Sequence, residues 1–169
     1  MSRLRCSRWR SATSCSEYSR AALVTVVVEQ IPSVTPPPGS RLERLVLTWE
    51  QRNKSRQRVA SERGRELVIK LATGTRLPPG TVVWVGEGVH VEVAAADEEV
   101  WLIRTADART LARVDYEIGN RHFPLEIGDA SIAVLYDHTL AELWARLSVH
   151  AERVRRPFLS EQPPSHHHS

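Results

Sequence analysis

The chain has 169 residues, 41% hydrophobic and 25% charged, ordinary values for a globular protein of one domain or two small ones and without collagen-like or wholly disordered bias. Its net charge of +3 is concentrated at the start, where residues 1–20 hold five arginines against Glu17 alone; the remainder is about neutral, which argues against nucleic-acid binding by the body. The longest apolar run, Ala21 to Val28, is far shorter than the roughly 18 residues that span a bilayer, and both cysteines, Cys6 and Cys15, precede the body, which therefore expects no disulfides and suits a reducing compartment.

Residues 1–21 are rich in Arg and Ser and lack apolar periodicity, so they read as a disordered, dispensable extension. A secretory leader is the weaker reading, because Glu29 follows the apolar run with no small-residue cleavage site; an Arg/Ser-rich organelle transit peptide is the other alternative. Residues 22–96 then read as an all-β domain. Its strands are expected at Ala22–Val28, Leu42–Trp49, Arg56–Ser61, Glu66–Leu71 and Thr81–Val85, followed by the alternating Val89, Val91 and Val93. Pro36 to Gly39, Arg63-Gly64, Pro78 to Gly80 and Glu87-Gly88 are the turns, the last closing a hairpin with His90 and Glu92 on its solvent face.

From residue 97 to 158 the pattern becomes β-α-β-β-α-β, the ferredoxin-like order, which makes the whole chain α+β. Strands are expected at Val100–Arg104, Phe123–Ile127, Ser131–Tyr136 and Ala151–Arg155. The first helix runs from Asp107 to Ile118, with Leu111, Val114 and Ile118 on one stripe and Gly119 as its stop. The second begins at Thr139, with Glu142 completing a capping box and Leu140, Leu143, Trp144 and Leu147 on one stripe. Residues 159–169 are expected to form a flexible, His-containing tail.

Walker, dinucleotide-glycine, HExxH, CxxC and GxSxG signatures are all absent, and a cysteine-free body excludes thiolate metal sites. Histidine remains, and imidazole is the commonest ligand for nickel, copper and zinc among the borderline divalent metals. His122 follows the first helix, His138 stands at the start of the second, His90 lies on a strand and His150 closes a helix C-terminus. Spacing alone gives each of these an ordinary surface reading. The run His166, His167 and His168 cannot form a rigid site alone, but it can add ligands to a site formed elsewhere.

The stretch Tyr116-Glu117-Ile118-Gly119-Asn120-Arg121-His122-Phe123-Pro124-Leu125 resembles the signature of the UreE family of urease accessory proteins, nickel metallochaperones with a Gly-Asn-Arg-His core. The resemblance extends from about Leu23 to His168. Lys54-Ser55-Arg56 is similar to the basic segment of the family's first domain, and Leu71 to Gly80 to its Leu/Gly/Pro-rich turn. Asp137-His138 resembles the family's second histidine position, and Pro157-Phe158 with Glu161 the segment before its His-bearing tail.

This resemblance implies a β-rich domain that docks partners, here residues 22–96, and a ferredoxin-like domain that dimerises and binds metal, here residues 97–158. It implies a cytoplasmic, non-enzymatic homodimer in which His122 of both protomers shares one Ni²⁺ at the two-fold axis, with His138 and the tail histidines as further ligands. The implied partners are the urease accessory GTPase and the apo-urease maturation complex, without nucleic acid or membrane; Cu²⁺ or Zn²⁺ would also bind. Two departures stand out: Glu117 occupies a position where many relatives have histidine, and the tail is short. A carboxylate at Glu117 would be a harder ligand that weakens preference for nickel.

Two other classes compete. An RNA- or protein-binding ferredoxin-like module needs exposed aromatics on the sheet, and the chain offers only Trp101 and Tyr136, without the RNP pattern. An acylphosphatase-like hydrolase would use Asn120 and Arg121 on a phosphoryl oxygen but lacks a phosphate-cradling loop.

Overall fold

The computed structural model describes residues 25–160; the Arg/Ser-rich extension and residues 161–169, with His166, His167 and His168, lie outside them. The first part of the chain forms two three-stranded sheets. In one, β1 (Thr25–Val28) runs parallel to β4 (Glu66–Lys70), which pairs antiparallel with β3 (Arg56–Ala60). In the other, β2 (Arg41–Leu47) runs parallel to β6 (Val89–Ala95), which pairs antiparallel with β5 (Val82–Gly86). Alternate residues such as Leu45, Leu47, Leu67, Ile69, Val91 and Val93 point inward from both sheets and form one core.

The expected turns carry the chemistry their positions need. Gly64 closes the β3–β4 turn at φ +81°, with its N–H donating to the Ser61 carbonyl at 2.9 Å. Glu87 and Gly88 both have positive φ, 53° and 70°, the hand that matches the twist of a two-residue hairpin.

Three details of this half differ from the expectation. The strand expected to reach Trp49 stops at Leu47, and Trp49–Arg52 form a helical turn, α1, in a domain read as all-β. A capping box overrides strand propensity there: the Gln51 N–H donates to Thr48 Oγ1 at 3.2 Å and the Thr48 N–H to Gln51 Oε1 at 2.9 Å. His90 is half-buried rather than on a solvent face, with Nδ1 2.8 Å from Ser40 Oγ, because the segment entering β2 covers that side of β6.

The second part contains β7 (Asp97–Arg104), α2 (Ala108–Gly119), β8 (Leu125–Gly128), β9 (Ser131–Leu135), a 3₁₀ turn (His138–Leu140), α3 (Ala141–Leu147) and β10 (Ala151–Pro157). The sheet order β10-β7-β9-β8, antiparallel throughout, is the ferredoxin-like arrangement. Ile103, Ile132 and Val134 face α2 and α3, packing with Val114, Ile118, Leu143 and Trp144. The alternate residues Val100, Leu102 and Ala133 face the other way and are covered by Trp49 and Phe158, whose rings meet edge-on at 6.1 Å. That covered face removes the open stacking platform an RNA-binding sheet of this type requires.

Helix ends account for the remaining corrections. Gly119 is not the stop of α2; the left-handed residue that ends the turn is His122. The Thr139–Glu142 box does not form either. Asp137 caps the segment instead, its Oδ1 accepting the Thr139 N–H at 2.8 Å and the Thr139 hydroxyl at 2.6 Å. His150 does not close a helix, because α3 ends at Leu147 through Ser148 at φ 55° and His150 lies exposed beyond it. Among the described residues no helix is long and apolar enough to cross a membrane.

Candidate metal centre

The turn after α2 is built by backbone geometry. The His122 N–H donates to the Gly119 carbonyl at 3.0 Å and the Phe123 N–H reaches back to the Ile118 carbonyl at 3.4 Å, the paired closure of a Schellman motif. Such a closure needs one residue at positive φ, normally glycine; here it is His122, at 58°. Phe123 and Ile118 belong to the same apolar cluster, as the motif's flanking contact requires. The side chain of His122 is exposed on this anchored backbone, so its imidazole can approach a metal without ordering a loop first.

Glu117 lies one helical turn earlier and does not offer a free carboxylate. Its Oε2 accepts from Arg121 Nη1 at 2.7 Å and from Arg146 Nη2 at 3.0 Å, which ties the end of α2 to α3. The hydrogen bond from Arg121, with Arg146 and Arg113 nearby, holds this carboxyl below its usual range. Two guanidiniums already occupy the Glu117 carboxylate, and a cation binding there would have to displace them. Arg121 Nη1 also donates to the Glu117 carbonyl at 2.5 Å, so the pair caps the helix end as well as neutralising it.

His138 opens the 3₁₀ turn and is 86% exposed, its Nδ1 3.8 Å from Asp137 Oδ1. Bonds from Thr139 hold the Asp137 carboxyl below the usual range, and Trp101 Nε1 donates to the Asp137 carbonyl at 2.9 Å, so the backbone under His138 is fixed. Among the described residues no group of three or more His, Cys, Asp or Glu is gathered to hold an ion. One protomer's described part thus presents single imidazoles at two rigid turns rather than a complete coordination shell. Exposed Tyr116 and Ile127 lie on the elements to either side of the His122 turn. The arginine clamp on Glu117 was the feature sequence reasoning missed, although Glu117 and Arg121 stand at i and i+4, the spacing that signals such a pair on a helix.

Comparison with known proteins points one way. Residues 24–96 match the family model described as UreE urease accessory protein, N-terminal domain, and residues 98–169 match that of its C-terminal domain. A urease accessory protein UreE of Cupriavidus necator is 42% identical over 121 residues, covering 72% of this chain and 63% of the relative. One from Burkholderia thailandensis is 40% identical over 122 residues, 72% of this chain and 57% of the relative. One from Burkholderia mallei is 39% identical over 122 residues, 72% and 60% respectively. The matched part of the chain spans about three-fifths of the length of these curated relatives.

Proposed function

The chain belongs to the UreE family of urease accessory proteins, and on that premise we propose that it is a nickel metallochaperone, binding Ni²⁺ and delivering it for assembly of the urease metallocentre. The observation that carries the reading is His122, an exposed imidazole held in left-handed backbone where glycine would be easier. In this reading a second copy of the chain completes the shell around the ion. In a two-fold homodimer a residue near the axis meets its own mate, so two His122 side chains share one ion. His138 and the tail residues His166, His167 and His168 supply further, exchangeable ligands.

The protein is in this reading a carrier and not an enzyme; nickel is its cargo. A site made of a few imidazoles at an exposed seam binds by deprotonated nitrogen and releases by ligand exchange. The same donors accept Cu²⁺ and Zn²⁺, and intrinsic affinity favours copper, so selectivity rests on supply and partners. Residues 22–96 dock partners, 97–158 dimerise and hold metal, and 159–169 carry the auxiliary histidines. The partners are the accessory GTPase and the apo-urease maturation complex, and the compartment is the cytoplasm.

The test is activation of apo-urease with its accessory proteins under limiting nickel. Nickel-loaded wild-type chain should raise urease activity above that given by the same amount of free Ni²⁺, and His122→Ala should not. Equal activation by both chains would reject the reading.

A further inference from the structure

The outer face of the sheet β1-β4-β3 carries a pairing that works against stability. Leu67 and Ile69 of β4 point into the core, so Val68 and Lys70 point outward. Strand register sets Val27 of β1 and Arg58 of β3 on either side of Val68, and Arg56 of β3 opposite Lys70. Arg56 and Lys70 are thus directly paired across antiparallel strands and both exposed, an arrangement in which like charges are destabilising. Neither makes an ion pair or a side-chain hydrogen bond with any described residue. The carboxylate on this face, Glu66, is already taken: Oε1 accepts from Arg58 Nη1 and Oε2 from the Thr25 hydroxyl, each at 2.7 Å.

Val27 supplies a second, independent observation. It is 51% exposed, an uncovered apolar side chain beside half-buried Val68. Free positive charge and uncovered apolar surface therefore adjoin, and Val68 and Lys70 are spaced by one strand repeat, about 6.6 Å. A phosphate or a nucleic acid would use the cations, leave the valines bare and meet Glu66 on the same face. An extended protein segment presents alternate side chains to one side at the same repeat. With an aliphatic residue of that segment on Val27 and Val68, the residue two positions on reaches Arg56 and Lys70, where a carboxylate turns their repulsion into a bridge.

We infer that this face docks an acidic segment of another protein in extended form, with an aspartate or glutamate between Arg56 and Lys70 and an aliphatic residue two positions away on Val27 and Val68. The choice of a protein as occupant rests on the reading that residues 22–96 dock partners; the like-charge pair and the uncovered valine are independent of it.

The experiment follows the Val27 and Val68 methyl resonances of the metal-free full chain by NMR during titration, at low salt, with the capped peptide Leu-Ser-Glu-Ser-Leu-Ser-Glu-Ser. Expected are saturable shifts of both valines, about tenfold weaker or worse for the peptide with glutamine in place of glutamate, and weaker for the glutamate peptide as salt is added. Lys70→Glu sets a carboxylate opposite Arg56, so Tm should rise while peptide binding is lost, a trade that a purely structural pair would not show. Absence of shifts with the glutamate peptide overturns the proposal, as does equal affinity for the glutamine peptide or for Lys70→Glu. Shifts of the same methyls on concentrating the chain alone also overturn it, because a second copy would then be the occupant. Tighter binding of inorganic phosphate or of a single-stranded oligonucleotide at these methyls does so too. With no nickel in the sample, none of these outcomes depends on whether His122 binds metal.

Discussion

The N–H of Phe123 reaches back to the carbonyl of Ile118 at 3.4 Å because His122 between them, not Gly119, takes the left-handed backbone at φ 58°. A side chain there costs about 1 kcal/mol or somewhat more relative to glycine. Such a cost at a position where glycine would serve is a reason to look for a function in the side chain.

The first prediction separates stability from metal at this position. His122→Gly should raise the unfolding free energy by about 1 kcal/mol, lifting Tm by about 2–4 °C, and abolish binding of the first nickel ion. His122→Ala should lose the ion without the stability gain. Thermal unfolding by circular dichroism beside a nickel titration measures both, and a glycine variant that still binds the first ion would reject the assignment.

Glu117 gives the second. Glu117→Gln keeps the shape but weakens the bonds from Arg121 and Arg146, so Tm should fall slightly at neutral pH while first-ion affinity stays within about threefold of wild type. The folded pKa of Glu117 lies below its ordinary 4.5, so its contribution is present above that value and lost as pH falls through the folded pKa. The Tm difference between the two proteins should therefore shrink on acidification below that ordinary value. A large loss of nickel affinity at neutral pH would instead make Glu117 a ligand.

Trp49 gives the third. It is 6% exposed, packs on Phe158, Val100 and Leu102, and donates from its backbone to Glu98. Trp49→Ala should cost about 3–5 kcal/mol of unfolding free energy, read from denaturant midpoints. A cost below about 1 kcal/mol would mean that the seam contributes little to stability.

A fourth concerns pH. Imidazole binds metal only when unprotonated, so nickel affinity should fall on acidification, with protons released on binding at lower pH. Calorimetry in buffers of different ionisation enthalpy counts those protons. Affinity unchanged between pH 7.5 and about 5.5 would exclude histidine as the main donor.

Much of this fold was legible because periodicity and turn chemistry agreed. Val89, Val91 and Val93 alternate as a strand must, and the stripe of Leu140, Leu143, Trp144 and Leu147 faces the sheet as expected. The failures lie where a local hydrogen bond decides the backbone. Thr48 and Gln51 turned the end of a strand into α1, Asp137 took the cap assigned to Thr139, and Gly119 yielded the left-handed position to His122. At the candidate site, the histidine-bearing turns were legible from the motif, whereas the commitment of Glu117 was not. Arg146 reaches it from 29 residues away, and no local pattern announces that contact.

The most direct test of the central claim is native mass spectrometry of the purified chain during Ni²⁺ titration, with His122→Ala and a variant lacking residues 166–168 alongside. A dimer whose first nickel is lost with His122→Ala and retained without the tail histidines is the predicted result. A first ion that binds equally well to His122→Ala, or disappears only with residues 166–168, would contradict the account and reduce the tail to a fortuitous chelator.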